Sequence, residues 1–142
     1  MLRQYRGRVR FTGGLEAARL QEYHALELRE LRPKALFLAY DTPDDWEPLV
    51  QAVDNLTGAG FTLTSHVISC YVLIGYPGDT LEAAQARIAA VKGLGVMPYA
   101  MVWRNNDGHK WADWGRLQRR NVRPQLIYGG KPESKAQEAL AL

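Results

Sequence analysis

Apolar and polar positions along this chain follow two rhythms, and the rhythm changes at regular intervals. Arg8–Thr12 alternates charged and apolar residues, which predicts a strand. Gly13-Gly14 follows, and then a helical pattern from Leu15 to Leu31 puts Leu20, His24, Leu28 and Leu31 on one face. Pro33 stops this helix. Ala35–Tyr40 is a continuous apolar run and predicts a fully buried strand. Asp41-Thr-Pro-Asp-Asp45 has the composition of a turn and cap. The next helix carries Trp46, Leu49, Val50, Val53 and Leu56 on one stripe. Asp44 and Glu47 have capping-box spacing, Pro48 falls near the first turn where it is tolerated, and Gly58 and Gly60 mark the end.

Phe61–Val67 is polar and ambiguous. Ser69–Ile74 predicts another strand, and Asp79 with Glu82 repeats the cap pattern. The helix after it buries Leu81, Ala84, Ile88 and Val91 and closes at Gly93 and Gly95. Val96–Val102 is a further strand. Its Pro98 lacks an N–H, so it belongs among the strand's first residues. The order βαβαβαβ points to a parallel sheet with helices outside it, either open or part of a barrel. After Val102 the pattern changes to a polar loop, Trp103–Lys110, and a helix over Trp111–Arg120. Arg123–Tyr128 reads as one short extended piece. The expected fold is α/β: a parallel-stranded (β/α) half-barrel over residues 1–128, of about four βα units plus a C-terminal helix. A flexible tail is expected over residues 129–142.

Composition narrows the function. The chain has 142 residues, 46% hydrophobic and 23% charged, as in one ordinary soluble domain. No apolar run spans a bilayer and the N-terminus is not a signal peptide, so the expectation is a cytoplasmic protein with no membrane contact. The single cysteine, Cys70, excludes an internal disulfide and any multi-cysteine zinc or iron–sulfur site built by this chain alone. Net charge is +3, with arginines gathered at Arg3, Arg6, Arg8 and Arg10 and again at Arg116, Arg119, Arg120 and Arg123. Such clusters serve phosphate or nucleic-acid contact, or are solvated faces; no stacking aromatic pattern accompanies them.

Three segments could carry chemistry. In Thr12-Gly-Gly-Leu-Glu-Ala-Ala-Arg19, Gly13 and Gly14 allow a ligand near the backbone. Glu16 could accept from ribose hydroxyls, and Arg19 could pair with a carboxylate. The same residues also suit a plain βα turn, and the third glycine of a dinucleotide fingerprint is absent. Asp41, Asp44 and Asp45 could serve a hard metal such as magnesium, or helix capping. In Gly75-Tyr-Pro-Gly-Asp79, Gly75 permits close approach and Tyr76 could stack on a ring, or the segment is simply a turn. His24, His66 and His109 have no metal-ligand spacing; His24 reads as a core residue and Cys70 as an inert one. Trp103, Trp111 and Trp114 suit a lid over the mouth of the sheet, or a stacking surface for a base or sugar.

Four segments together resemble the C-terminal part of radical SAM enzymes. Phe11-Thr-Gly-Gly-Leu-Glu-Ala-Ala-Arg-Leu20 resembles the strand end that carries a Gly-Leu-Asp-Ala-Arg-type motif in part of that family. Ala35-Leu-Phe-Leu-Ala-Tyr-Asp41, Tyr71-Val-Leu-Ile-Gly-Tyr76 and Gly95-Val-Met-Pro-Tyr-Ala-Met-Val102 resemble the strands that follow. The resemblance covers Arg8 to Tyr128. It implies a partial (β/α) barrel and a pocket for S-adenosylmethionine beside a [4Fe–4S] cluster. Glu16 would stand near the ribose, Arg19 would pair with the methionine carboxylate, and Gly75 and Tyr76 would line the adenine side. Gly13, Gly14, Tyr40 and Asp41 complete the implied cofactor-binding set. The family's cluster is held by a three-cysteine loop after its first strand, and this chain has no such loop. The expectation is therefore a truncated domain, not catalytic alone, that keeps part of an S-adenosylmethionine or nucleotide pocket as a fragment or split partner of an enzyme. The alternative is a non-catalytic scaffold that completes its barrel by self-association. Both imply a homo-oligomer or an obligate partner supplying the missing strands.

Overall fold

A computed structural model describes residues 9–104 and 112–122. Four strands form one sheet in the order β1-β2-β3-β4: β1 Arg10–Phe11, β2 Ala35–Tyr40, β3 Ile68–Ile74 and β4 Met97–Val102. Each pairs in parallel with its neighbour in sequence. Helices α1 (Glu22–Leu31), α2 (Trp46–Gly58) and α3 (Leu81–Gly93) make the crossovers, and α4 (Ala112–Arg120) packs against β4. The architecture is α/β, a parallel sheet with interleaved helices, consistent with a half-barrel and not closed. The expected extended piece over Arg123–Tyr128, the tail over 129–142, His109, Trp111 and the outermost arginines lie outside the described residues.

Parallel neighbours in chain order, joined by crossovers of the usual right hand, carry their helices on one side. The burial pattern follows from this. Leu36, Leu38 and Tyr40 of β2, then Ile68, Cys70, Val72 and Ile74 of β3, then Ala100 of β4 are buried on the helical side. They meet Ala25 of α1, Leu49, Ala52, Val53 and Leu56 of α2, and Ala84, Ile88 and Val91 of α3 in one core. The described helices put their buried side chains into this core, and Phe37 and Tyr71 on the opposite face are only half-buried. Ala35–Tyr40 therefore alternates between buried and half-buried positions, and is not the fully buried strand its apolar run predicts. The run is apolar because its outward positions, Ala35, Phe37 and Ala39, belong to a second apolar face.

Several local expectations are corrected. The predicted helix from Leu15 begins only at Glu22; before it lies a single 3₁₀ turn, Ala17–Arg19. Asn55 of α2 donates its amide to the Leu20 carbonyl at 2.9 Å, and the Gln21 N–H donates to His24 Nδ1 at 3.1 Å. These tertiary and capping bonds interrupt the ladder, and His24 becomes a half-buried cap in place of a core residue. The cap lies on the 3₁₀ turn Pro43–Asp45 that leads into α2, and it uses Thr42 and Asp45, not Asp44 and Glu47: Asp45 Oδ2 accepts from the Thr42 N–H at 2.8 Å. Thr80, not Asp79, caps α3, accepting from the Ala83 N–H at 3.1 Å. The ambiguous Phe61–Val67 holds a 3₁₀ turn, Leu63–Ser65, and buries Phe61.

Pro98 is the second residue of β4, an edge strand. On such a strand alternate N–H groups point outward. The Ala100 N–H points out and donates to the Asn121 carbonyl at 2.9 Å, so the missing N–H of Pro98 falls on the same free edge.

The two faces should respond differently to truncation. Leu36→Ala, on the helical side, is expected to destabilise by about 2–5 kcal/mol. Met101→Ala, on the open face, should change stability by less than about 0.5 kcal/mol. Urea denaturation of both variants checks this; equal losses would contradict the one-sided core.

Candidate functional site

The C-terminal ends of β1, β2 and β3 hold every candidate residue, but in three separate settings. At the end of β1 the Gly13-Gly14 turn is exposed, and Gly14 takes a left-handed φ of 74° that favours glycine. Two bonds fix the turn: the Leu15 N–H donates to the Phe37 carbonyl at 2.6 Å, and the Tyr71 hydroxyl donates to the Thr12 carbonyl at 2.8 Å. A Cβ on Gly13 would meet open space, whereas one on Gly14 would come within 3.9 Å of the Tyr71 ring. Beyond the turn Glu16 and Arg19 form an exposed ion pair at 3.4 Å. Both line an open apolar groove of about 320 Å³ between β1 and α1, whose walls are Phe11, Leu15, Leu28 and Leu31.

At the end of β2, Tyr40 and Asp41 diverge. Tyr40 is buried on the helical side, its ring tilted against Trp46 at 5.4 Å between centroids. Asp41 is exposed, and its N–H donates to Asp45 Oδ2 at 3.0 Å. Partial burial, and then repulsion from Asp45, push its carboxyl above the usual range. The carboxylates of this turn do not gather into a metal-binding group; Asp45 is spent on capping.

At the end of β3 the chain is held by a buried ion pair that the sequence pattern does not reveal. Asp79 Oδ2 accepts from Arg87 at 2.6 Å and from the Gly75 N–H at 2.8 Å, while Oδ1 accepts from Arg87 at 3.0 Å and the Thr80 N–H at 2.9 Å. Arg87 also donates to the Leu73 carbonyl at 3.0 Å. Burial alone would raise the Asp79 carboxyl, but these bonds and the Arg87 charge outweigh it and hold the group below its ordinary range. The signal available in the sequence was the spacing of Asp79 and Arg87, two helical turns apart, which reads as a surface pair without knowledge of α3's buried face.

This clamp decides what Gly75 and Tyr76 can do. Tyr76 lies over the Arg87 guanidinium, 5.1 Å from ring centre to carbon. Gly75 has a left-handed φ of 75°, and a Cβ there would be 3.0 Å from the Trp114 indole. The close approach that glycine allows is taken by α4. Trp114 is thus the lid-like tryptophan among those the sequence suggests, and it packs on the end of β3.

The opposite face of the sheet carries a second aromatic group. Register places Phe37, Ser69 and Met97 in one row and Ala39, Tyr71 and Tyr99 in the next. Phe37 stacks on Tyr71 at 4.5 Å, and Tyr99 meets both edge-on at 5.8 and 5.5 Å. Cys70 points the other way, into the helical core. Burial, then the carboxylates of Asp41 and Asp45, push its thiol up and favour its neutral form. No helix among the described residues is long and apolar enough to cross a membrane.

Asp79→Asn removes one partner of a buried pair and is expected to cost about 3–5 kcal/mol. Its folded pKa is lowered from 3.8, so its contribution is complete above that value and is lost as pH falls through the lower folded value. Acid titration of stability should therefore show a loss below about pH 4 that is absent in Asp79→Asn. Identical acid limbs would show that the pair does not carry the stability.

With this geometry in view, no protein-family model, curated protein or solved structure matches the chain.

Proposed function

We propose that the chain is one part of a radical-SAM-like barrel and presents the β1 seam to S-adenosylmethionine or a related nucleotide. The observation that supports this is the seam itself. An exposed, rigidly held Gly13-Gly14 turn stands beside the Glu16–Arg19 pair at the mouth of an apolar groove. Glycine backbone, a carboxylate and a guanidinium are the groups that recognise ribose hydroxyls and an amino-acid carboxylate. The groove lies where another βα unit, in parallel register with β1, would pack. Joining such a unit buries the apolar walls and turns an exposed pair into a partly desolvated site.

The residues fit the nucleotide better than the cluster. One cysteine cannot supply the thiolates of a [4Fe–4S] centre, and Cys70 faces the core. Reductive chemistry therefore needs ligands from elsewhere, and no step is assigned to this chain. At the β3 end Trp114 and the Arg87 clamp occupy the places that the resemblance gives to adenine, so Gly13, Gly14, Glu16 and Arg19 carry the proposed contacts.

Isothermal titration and thermal shift with S-adenosylmethionine test this reading. Binding at millimolar concentration or tighter is expected, with Glu16→Ala and Arg19→Ala each weakening it about tenfold or more. Adenosine should retain the Glu16 dependence and lose the Arg19 dependence. No heat and no shift at millimolar ligand would sink the proposal.

A further inference from the structure

A separate crevice, of about 380 Å³, opens where α1 and α2 end, among Arg29, Arg32, Gly60, Thr62 and Ser65. It shares no residue with the groove of the candidate seam. Among the described residues its charged walls are the two arginines, and neither is in an ion pair with a carboxylate. Two guanidiniums, both permanently charged, thus line one concave surface without a counter-ion.

Both arginines are set in place by local structure. The Arg29 guanidinium lies over the Phe61 ring, 5.8 Å from centroid to carbon. A Cβ at Gly60 would stand 3.4 Å from Arg29 Nε, so glycine leaves that side chain its room. Arg32 follows the last turn of α1 with a left-handed φ of 48°, and its N–H donates to the Arg29 carbonyl at 3.1 Å. Helix ends favour glycine in that conformation. Arginine at this position opposes the local preference, and the charge that it adds to the crevice gives it a reason to be there.

The helix ends offset only part of this charge. Each C-terminus carries about half a negative charge, against two full positive ones. The surplus suits an anion, and two forked guanidiniums suit the several acceptor oxygens of a phosphate. Beside them the Ser65 hydroxyl donates to the Thr62 carbonyl at 2.7 Å, which leaves its lone pairs to accept from a ligand hydroxyl. The volume is that of a small-molecule site, which starts at roughly 300 Å³, and exceeds what a bare phosphate fills.

We infer that this crevice binds a small phosphomonoester of the sugar-phosphate class. Arg29 and Arg32 take the phosphate, and the turn from Thr62 to Ser65 takes hydroxyls of the organic part. The site recognises its ligand without chemistry, since no nucleophile or general base lines it. The inference does not depend on the cofactor reading, which concerns the β1 seam and a ligand without phosphate.

Isothermal titration of the full chain in phosphate-free buffer at low salt tests it, with glucose 6-phosphate, inorganic phosphate and glucose as probes. Glucose 6-phosphate should bind at millimolar concentration or tighter, inorganic phosphate about tenfold more weakly, and glucose not at all. Arg29→Gln and Arg32→Gln should each weaken glucose 6-phosphate about tenfold and leave the response to S-adenosylmethionine unchanged. Arg32→Gly separates recognition from folding: it should lose binding to the same extent while the melting temperature rises, because glycine relieves the left-handed backbone. No heat with either phosphate overturns the proposal, as does binding indifferent to both arginines. Equal affinity for inorganic phosphate and glucose 6-phosphate overturns the sugar-phosphate assignment. A single-stranded oligonucleotide that binds through the same arginines more tightly than glucose 6-phosphate gives the crevice to nucleic acid, and also overturns it.

Discussion

Parallel pairing in chain order constrains everything else in this protein. Each strand must be followed by a crossover long enough to return the chain to the same end, and crossovers of one hand fall on one side. The helical side becomes a closed core of aliphatic residues, from Leu36 to Val91. On the other side, among the described residues, Phe37 and Tyr71 are half-buried beside buried Ser69 and Met97. The described helices therefore stabilise one face of the sheet and leave the other more exposed. Its candidate seam, its aromatic patch and its edge chemistry all follow from that asymmetry.

The Asp79–Arg87 pair shows how a buried charge can position a loop. Taking both groups out of water is expensive, and the expense is offset only because the carboxylate accepts four hydrogen bonds from Arg87, Gly75 and Thr80. The bonds pin the backbone of Gly75 and set the path of the turn into α3. With the turn fixed, Trp114 can close on Gly75, and α4 is anchored at the end of β3 and along the edge of β4. At this strand end the ion pair and Trp114 both act on Gly75. The β1 turn, held by backbone and by the Tyr71 hydroxyl, stays open.

Edge management is the third consequence. An open parallel sheet has two edges that invite uncontrolled pairing. Here β1 is short and β4 combines Pro98 with an Ala100 N–H already engaged by Asn121.

Much of the architecture was legible in the sequence, because hydrophobic period and glycine punctuation are local properties. The strands around Ala35, Ser69 and Met97, the helices after Asp45 and Thr80, and their parallel order follow from pattern alone. The cap residues were not legible, since Thr42 and Asp45 have the same composition as their neighbours and only backbone geometry chooses among them. The late start of α1 was hidden for a similar reason: Asn55, thirty-five residues away, takes the Leu20 carbonyl. Local pattern brought Gly13, Gly14, Glu16, Arg19, Tyr40, Asp41, Gly75 and Tyr76 to strand ends. Only the tertiary structure separated them, burying Tyr40 against Trp46, covering Gly75 with Trp114 and leaving Glu16 and Arg19 at an open groove. Periodicity records which residues share a face, whereas what covers that face depends on contacts made across the whole chain.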